Sequence, residues 1–284
     1  MTLKSLLAAS GLVLAPGVYD GLSALIAAGA GAKALYLSGA SIAYSRFGNP
    51  DLGLVDMTEV AEIIAAITDR VDTPLIADAD NGYGNALNVQ RTMRTFERAG
   101  ASAIQLEDQT LPKRCGHLAN KSLVSTAEMV GKVKAACDAR GAMSTLIIAR
   151  TDAIAVEGLM RALDRAHAYA DAGADVIFVE APASIGDMHA IVGALGSRIP
   201  LLANMVEGGK TPLLSAAELA DIGYKLAIFP GSAARAIAWQ MRDLYALLVA
   251  SGSTAAFRDR MLTFAELNDL IGTKDILKGA ERYA

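Results

Sequence analysis

Short apolar runs alternate along this chain with longer segments in which apolar residues recur three and four apart. Eight runs are too short for helices: LVLAPG (12–17), ALYLSG (34–39), PLIADAD (74–80), AIQLED (103–108), TLIIARTD (145–152), VIFVEAP (176–182), IPLLANM (199–205) and LAIFPG (226–231). Between most of them lie stretches of helical period, such as MTEVAEIIAAITDRV and LMRALDRAHAYADAG. Strands that are apolar on both faces and alternate with helices predict a parallel sheet covered on each side. Eight such units with no linker-like break favour a closed (β/α)₈ TIM barrel over an open doubly wound sheet, and no Gly-x-Gly-x-x-Gly follows the first strand. The expectation is one barrel domain over 1–284 with a C-terminal helical extension over 235–284.

Punctuation repeats with the same period. Gly100, Gly173 and Gly223 each stand between a helical segment and the next strand, where glycine takes the left-handed conformation that stops a helix. Thr58, Ser125 and Ser215 precede helical runs and are candidate N-caps. The N-terminal MTLKSLLAASGLVLAPG is broken by Ser5, Ser10 and Gly11 and reads as a short helix and the first strand, not as an export signal. After Gly231 come AARAIAWQMRDLYALLVASG and AAFRDRMLTFAELNDLIG, more helix than a final barrel unit needs. Their apolar faces, with Leu244, Leu247, Leu248 and Val249, predict packing against another subunit, and the polar DILKGAERYA reads as a mobile end or a lid edge.

Composition adds exclusions. With 53% hydrophobic and only 5% aromatic residues, the core is aliphatic, and a net charge of -4 leaves no basic footprint for nucleic acid or an anionic membrane. Two cysteines, Cys115 and Cys137, are too few for a disulfide scaffold and fit a reducing, cytoplasmic setting. No apolar stretch reaches the ~18 residues of a membrane span.

The chemistry gathers where the runs stop. In a (β/α)₈ barrel the C-terminal strand ends form the active face, which makes Ser38, Gly39, Asp78, Asp80, Glu107, Arg150, Asp152, Glu180 and Asn204 the candidate site. So many carboxylates at one barrel mouth need compensation. Asp78, Asp80 and Glu107 are therefore candidate ligands of a hard divalent cation, although any one of them can instead cap a helix or pair with Arg150. Arg150 is placed to grip a carboxylate bidentately, or to form an internal ion pair with Glu180 or Glu107. The segment 109–124 carries Lys113, Arg114, Cys115, His117 and Lys121 in a loop that reads as a lid, with cations that favour a reactive thiol. Cys-x-His also suggests zinc, but further ligands are missing. The turn with Asn204, Glu207, Gly208, Gly209 and Lys210 is a candidate anion cradle.

SGA (38–40), PDLG (50–53), DADNGYGN (78–85), LED (106–108), PKRCGH (112–117), ARTDA (149–153), VEAP (179–182) and ANMVEGGKTP (203–212) together resemble the isocitrate lyase/phosphoenolpyruvate mutase superfamily along nearly the whole chain. The resemblance implies a (β/α)₈ barrel, Mg²⁺ (or Mn²⁺), a small α-hydroxy or α-keto acid substrate, and a homotetramer built as a dimer of helix-swapped dimers. It also implies Asp78, Asp80 and Glu107 at the metal, and Ser38, Gly39 and Ala40 as a cradle for the substrate carboxylate. Asp51 resembles the family's acid in a closing loop, Arg150 the arginine that steadies substrate, and Glu180, Asn204 and Gly116 would line the pocket.

Cys115 resembles the cysteine of the carbon–carbon lyase branch (2-methylisocitrate lyase and 2,3-dimethylmalate lyase). That branch implies a proton donor at Cys115, a base at Lys113 held unprotonated, and His117 and Arg150 as charge stabilisers. Leu118 stands where methylisocitrate enzymes tend to carry Arg, pointing to one carboxylate fewer. Oxaloacetate hydrolysis or decarboxylation and (carboxy)phosphonoenolpyruvate mutase chemistry are the alternatives within the same superfamily.

Overall fold

The structure is a computed structural model and describes residues 1–114, 116, 120–141 and 145–283. The apolar runs form β1 (Val13–Val18), β2 (Leu35–Leu37), β3 (Leu75–Asp78), β4 (Ala103–Glu107), β5 (Leu146–Thr151), β6 (Val176–Val179), β7 (Leu201–Asn204) and β8 (Leu226–Phe229). All pair in parallel in chain order, and β8 closes on β1. Several strands stop short of the apolar run that predicted them. Their last residues leave the ladder to carry polar side chains over the barrel mouth.

Successive side chains of a strand point to opposite faces, and the core divides by that parity. Ala15, Tyr36, Ile76, Ile148, Phe178 and Ile228 fill the interior in one buried cluster. Leu37, Ala77, Ile104, Leu106, Ala149 and Ile177 face the helices in another. The helix Leu3–Ala8 contributes Leu3, Leu6 and Leu7 to the interior cluster. The mouth at the opposite end is thereby left for chemistry.

The helix stops and starts follow local rules, with one correction. Gly100, Gly173 and Gly223 have φ of +103°, +107° and +115°. Ser125 and Ser215 accept the N–H of Glu128 and Glu218 and cap their helices as expected. Thr58 does not cap. The helix Met57–Thr68 begins earlier, on Asp56, whose carboxylate accepts from the N–H groups of Thr58 and Glu59 while Glu59 returns a bond to Asp56. A carboxylate there also meets the positive end of the helix dipole.

The C-terminal segment forms the helix Ser232–Ser251, a 3₁₀ turn at Ala255–Arg260, and helices Phe264–Leu270 and Thr273–Ala280, so the polar end is helical. The helix Ser232–Ser251 buries none of its residues. Trp239, Tyr245, Val249 and Phe264 stand exposed. Among the described residues no helix is long and apolar enough to cross a membrane.

Gly17 sits on the closure seam, where a Cβ would come within 2.6 Å of the Phe229 carbonyl oxygen and closer still to that of Pro230. Gly17→Ala is expected to lower unfolding free energy by about 1–3 kcal/mol through overpacking. Gly193→Ala, on an exposed helix position with open space around it, is expected to raise it by about 0.5–1 kcal/mol. Urea titration of the two variants measures both signs.

Candidate active site

At the C-terminal ends of the strands a cavity encloses about 60 Å³ of solvent-sized space, room for roughly four to six waters at ~10–15 Å³ each. Ser38, Ala40, Asp51, Asp78, Glu107, Lys113, Gly116, Arg150, Glu180 and Asn204 line it. Gly39 lies against the two aspartates: a Cβ there would stand 3.3 Å from Asp78 Oδ2 and 3.6 Å from Asp80 Oδ1. Cys115, His117 and Leu118 lie outside the described residues. The remaining expected site residues are thus brought together from six strand ends and two loops.

Arg150 is the central cation. Its guanidinium donates to both oxygens of Asp152 at 2.9 Å, reaches Glu107 at 3.1 Å and stands 3.6 Å from Glu180. The ring of Phe178 lies under it, 5.3 Å from centroid to guanidinium carbon. Asn204 donates to Glu180 at 3.1 Å. Internal ion pairing and a position on the cavity therefore coexist in one residue. Burial pushes the Asp152 carboxyl up, but Arg150 and Lys121 outweigh it and hold it below the usual range. Burial drives Glu107 the other way, well above that range, only partly opposed by Arg150.

Lys113 lies among carboxylates. Burial would depress its pKa, but the carboxylates of Asp80, Glu107, Asp51 and Asp78 outweigh that cost and hold it well above the ordinary value. Its ammonium bridges Asp51 and Asp80, the latter at 2.7 Å. In this arrangement its ammonium joins the loop of Asp51 to the strand-end Asp80. Burial lifts the Asp80 carboxyl to about 6, with Lys113 pulling against it.

The segment over the mouth is held by side chains from below. Gln109 donates to the Arg114 carbonyl at 2.8 Å and accepts the Arg114 N–H at 3.0 Å. Lys121 donates to the Gly116 carbonyl at 2.6 Å and pairs with Asp152 at 2.7 Å. Gly116 packs so close to Arg150 and Glu180 that a Cβ would fall within 2.7 Å of both.

The donor set suits a hard divalent cation. Among the described residues Asp51, Asp78, Asp80, Glu107, Asp152 and Glu180 bring six carboxylates to the mouth, against the three buried cations Lys113, Lys121 and Arg150. Glu107 Oε1 is buried and accepts no hydrogen bond from the described residues. Among the described residues no group of three His, Cys, Asp or Glu side chains surrounds a single point closely enough to hold an ion alone. Mg²⁺ takes one or two carboxylates and keeps several waters, a demand that Asp78 and Glu107 on the cavity wall could meet.

Parity separates residues that are adjacent in sequence. Glu107 faces the cavity, whereas Asp108 faces outward and accepts from Thr151, Tyr169, Arg165 and the Asp152 N–H. Tyr36 and Phe178 line the cavity, and Gln105 donates to Asp78 at 3.4 Å. These three were not among the candidate residues. Counting back two from Ser38, Glu180 and Glu107 reaches each of them, which is the signal that could have found them.

The sequence profile of the phosphoenolpyruvate phosphomutase family matches residues 3–248. The chain belongs to that family, within the phosphoenolpyruvate mutase/isocitrate lyase superfamily. It is 44% identical over 284 residues to 2,3-dimethylmalate lyase of Eubacterium barkeri, covering 99% of this chain and 97% of that one. It is 44% identical over 278 residues to 2-methylisocitrate lyase of Aeropyrum pernix, covering 98% and 89%. A crystal structure of 2,3-dimethylmalate lyase superposes with a TM-score of 0.93 at 38% identity, over 99% of this chain and 93% of that one. A phosphonopyruvate hydrolase solved with oxalate and Mg²⁺ superposes with a TM-score of 0.89 at 31% identity, over 100% and 99%.

Asp152→Ala leaves two buried cations, Arg150 and Lys121, short of a partner and is expected to cost about 3–5 kcal/mol of stability. Because the folded-state carboxyl titrates below its unfolded value, its contribution is present above about pH 4 and lost as pH falls through the folded value. Urea unfolding of the variant and the parent at pH 7 and pH 3.5 tests both statements: the gap between them narrows at the lower pH.

Proposed function

We propose that this chain is a Mg²⁺-dependent carbon–carbon lyase, with Mn²⁺ as a substitute, that cleaves a 2-hydroxy di- or tricarboxylate. Substrates of the 2,3-dialkylmalate or 2-methylisocitrate type fit, yielding pyruvate or glyoxylate and a second carboxylate. The observation that carries this reading is the surplus of buried carboxylate oxygen around Glu107 and the aspartates, opposite a fixed guanidinium in a small polar cavity. The relatives named as lyases at 44% identity support the reaction class.

Asp78, Asp80 and Glu107 would hold the cation, directly or through water. When bound, it supplies Lewis-acid polarisation of the substrate's α-oxygen and carboxylate. Ser38 caps the helix Gly39–Phe47 at the edge of the cavity. The N–H groups of that first turn, at Gly39 and Ala40, have no intrahelical acceptor by helix geometry and are suited to a carboxylate. Arg150 faces the charge that develops as the carbon–carbon bond opens, an effect commonly worth about 3 kcal/mol per donor. Asp51 and Lys113 tie the loop after the helix Gly39–Phe47 to the segment over the mouth. Lys113, on giving up its own proton, would take the proton of the 2-hydroxyl as the carbon–carbon bond opens, and Cys115 supplies the proton that quenches the carbanion-like fragment, with His117 supporting the charge.

Subunit assembly follows the same reading. The uncovered apolar side chains of the C-terminal helices support a tetramer of helix-swapped dimers, and a cytoplasmic location accords with the two-cysteine composition. Sedimentation at micromolar concentration is expected to give four times the chain mass.

Incubation with 2,3-dimethylmalate, 2-methylisocitrate, isocitrate and oxaloacetate is expected to release pyruvate or glyoxylate from one of the first three, only with Mg²⁺ or Mn²⁺ present. Loss of oxaloacetate alone would move the chain to the hydrolase or decarboxylase reading. Cys115→Ser is expected to lower kcat by at least about 10²–10⁴-fold with Mn²⁺ binding retained. Full turnover in that variant would remove the thiol from the mechanism.

A further inference from the structure

The loop after β3 is held in an uncommon shape. Asp80 and Tyr83 have φ of +46° and +59°, and Gly82 and Gly84 lie at +85° and +143°. A non-glycine residue in that region persists only where its surroundings over-determine it. Several of the bonds that fix it are local or come from the neighbouring strand: Asp80 N–H to Asp78, Tyr83 N–H to the Asn81 side chain, and Glu107 N–H to the Asp80 carbonyl. Thr92 donates to the Gly82 carbonyl from the following helix.

One further bond comes from outside that unit and carries a charge. Lys132, on the helix Thr126–Ala139, reaches inward so that its Nζ donates to the Asn81 carbonyl at 3.0 Å. The residue is 2% exposed, and its nearest carboxylate partner, Glu128, is 3.9 Å away and half in solvent. A buried ammonium with one short bond, and that bond to a backbone carbonyl, is costly unless the carbonyl's orientation matters. The residue whose carbonyl it grips directly follows Asp80.

We propose that Lys132 is a positioning residue for the cation-binding aspartates: its bond to the Asn81 carbonyl sets the left-handed turn that points Asp80 toward Lys113 and Gly39, beside Asp78. The inference rests on the divalent-ion reading above. Lys132 touches neither ion nor substrate. It acts through the backbone, and its loss changes affinity for the ion before it changes anything in the chemistry.

Titration of the full-length protein with Mn²⁺, followed by calorimetry and by loss of the free-ion electron paramagnetic resonance signal, tests this without a substrate. The variant Lys132→Met keeps the apolar stem and removes the donor. It is expected to bind Mn²⁺ at least about tenfold more weakly, the scale seen when an outer partner of a metal ligand is removed. Lys132→Arg, which restores a cationic donor, is expected to recover most of that loss. Asp80→Asn is the control for the reading itself. If the parent takes up no Mn²⁺, or Asp80→Asn binds as tightly as the parent, the metal reading fails and the proposal goes with it. If the parent binds, Asp80→Asn does not, and Lys132→Met matches the parent, the proposal alone is overturned. Equal weakening in Lys132→Met and Lys132→Arg overturns it too, because packing and not the donor would then be at stake. Should Lys132→Met fail to fold, Lys132→Gln, too short to reach the carbonyl, is read against the same three outcomes.

Discussion

The mouth of this barrel depends on one guanidinium. Arg150 sits at the end of β5, where the ladder sets it beside Glu107 on one side and Phe178 on the other. Its planar fork meets Asp152 through two bonds while a third nitrogen reaches Glu107. A lysine would offer a single point charge there and could not satisfy both directions at once. Because Asp152 also pairs with Lys121, and Lys121 holds the Gly116 carbonyl, the position of the covering segment is tied to the same cation. Cover and floor are therefore parts of one electrostatic unit, and Gly116, wedged against Arg150 and Glu180, has no room for a side chain.

That unit is bought with burial, and strand parity decides who shares it. Two carboxylates adjacent in sequence, Glu107 and Asp108, take opposite roles because consecutive side chains of a strand leave on opposite faces. Asp108 is fully satisfied by Thr151, Tyr169 and the Asp152 N–H, and it locks β4 to β5 from outside. Glu107 is left with one oxygen to which no described residue donates. The first arrangement belongs to a structural acid and the second to an acid reserved for something else. The same logic separates Arg165, saturated by Glu157, Asp108 and the Val124 carbonyl, from Arg150, which stands at the cavity wall.

Much of this was legible from residues alone because the barrel is periodic. Apolar runs alternating with helical segments dictate the eight strands, and the rule that strand ends form the active face collects Asp78, Glu107, Arg150, Glu180 and Asn204. What was not legible is what periodicity does not encode. The cap at Asp56 instead of Thr58 turned on which of two nearby oxygens could reach two N–H groups at once. The contacts of Lys113 with Asp51 and Asp80 join residues distant in sequence and brought near only by folding. Lys132 meets Asn81 across two helices, and Lys121 meets Asp152 across a strand and its preceding helix, contacts with no sequence signature. Tyr36 and Gln105 are the exceptions, since parity alone would have reached them.

The family's division of labour follows from the way the cavity is built. One side consists of strand ends and a helix N-terminus, Ser38, Asp78, Glu107 and Arg150, groups that can receive an anionic α-oxygen acid whatever bond is later broken. The lining also includes the apolar Val206, Ile228 and Pro230, and the loop-borne Lys113, Arg114 and Gly116. Relatives that share the frame yet carry the names of lyases and of a phosphonopyruvate hydrolase are what such a split permits. On the proposed reading the strand-end groups would fix the acid and stabilise its charge, and the loop and apolar positions would set which substituent is placed in line for cleavage. A change of substrate is then expected to be carried by loop and apolar positions, because altering any charged strand-end residue would unbalance the ion-pair unit on which the closed cover rests.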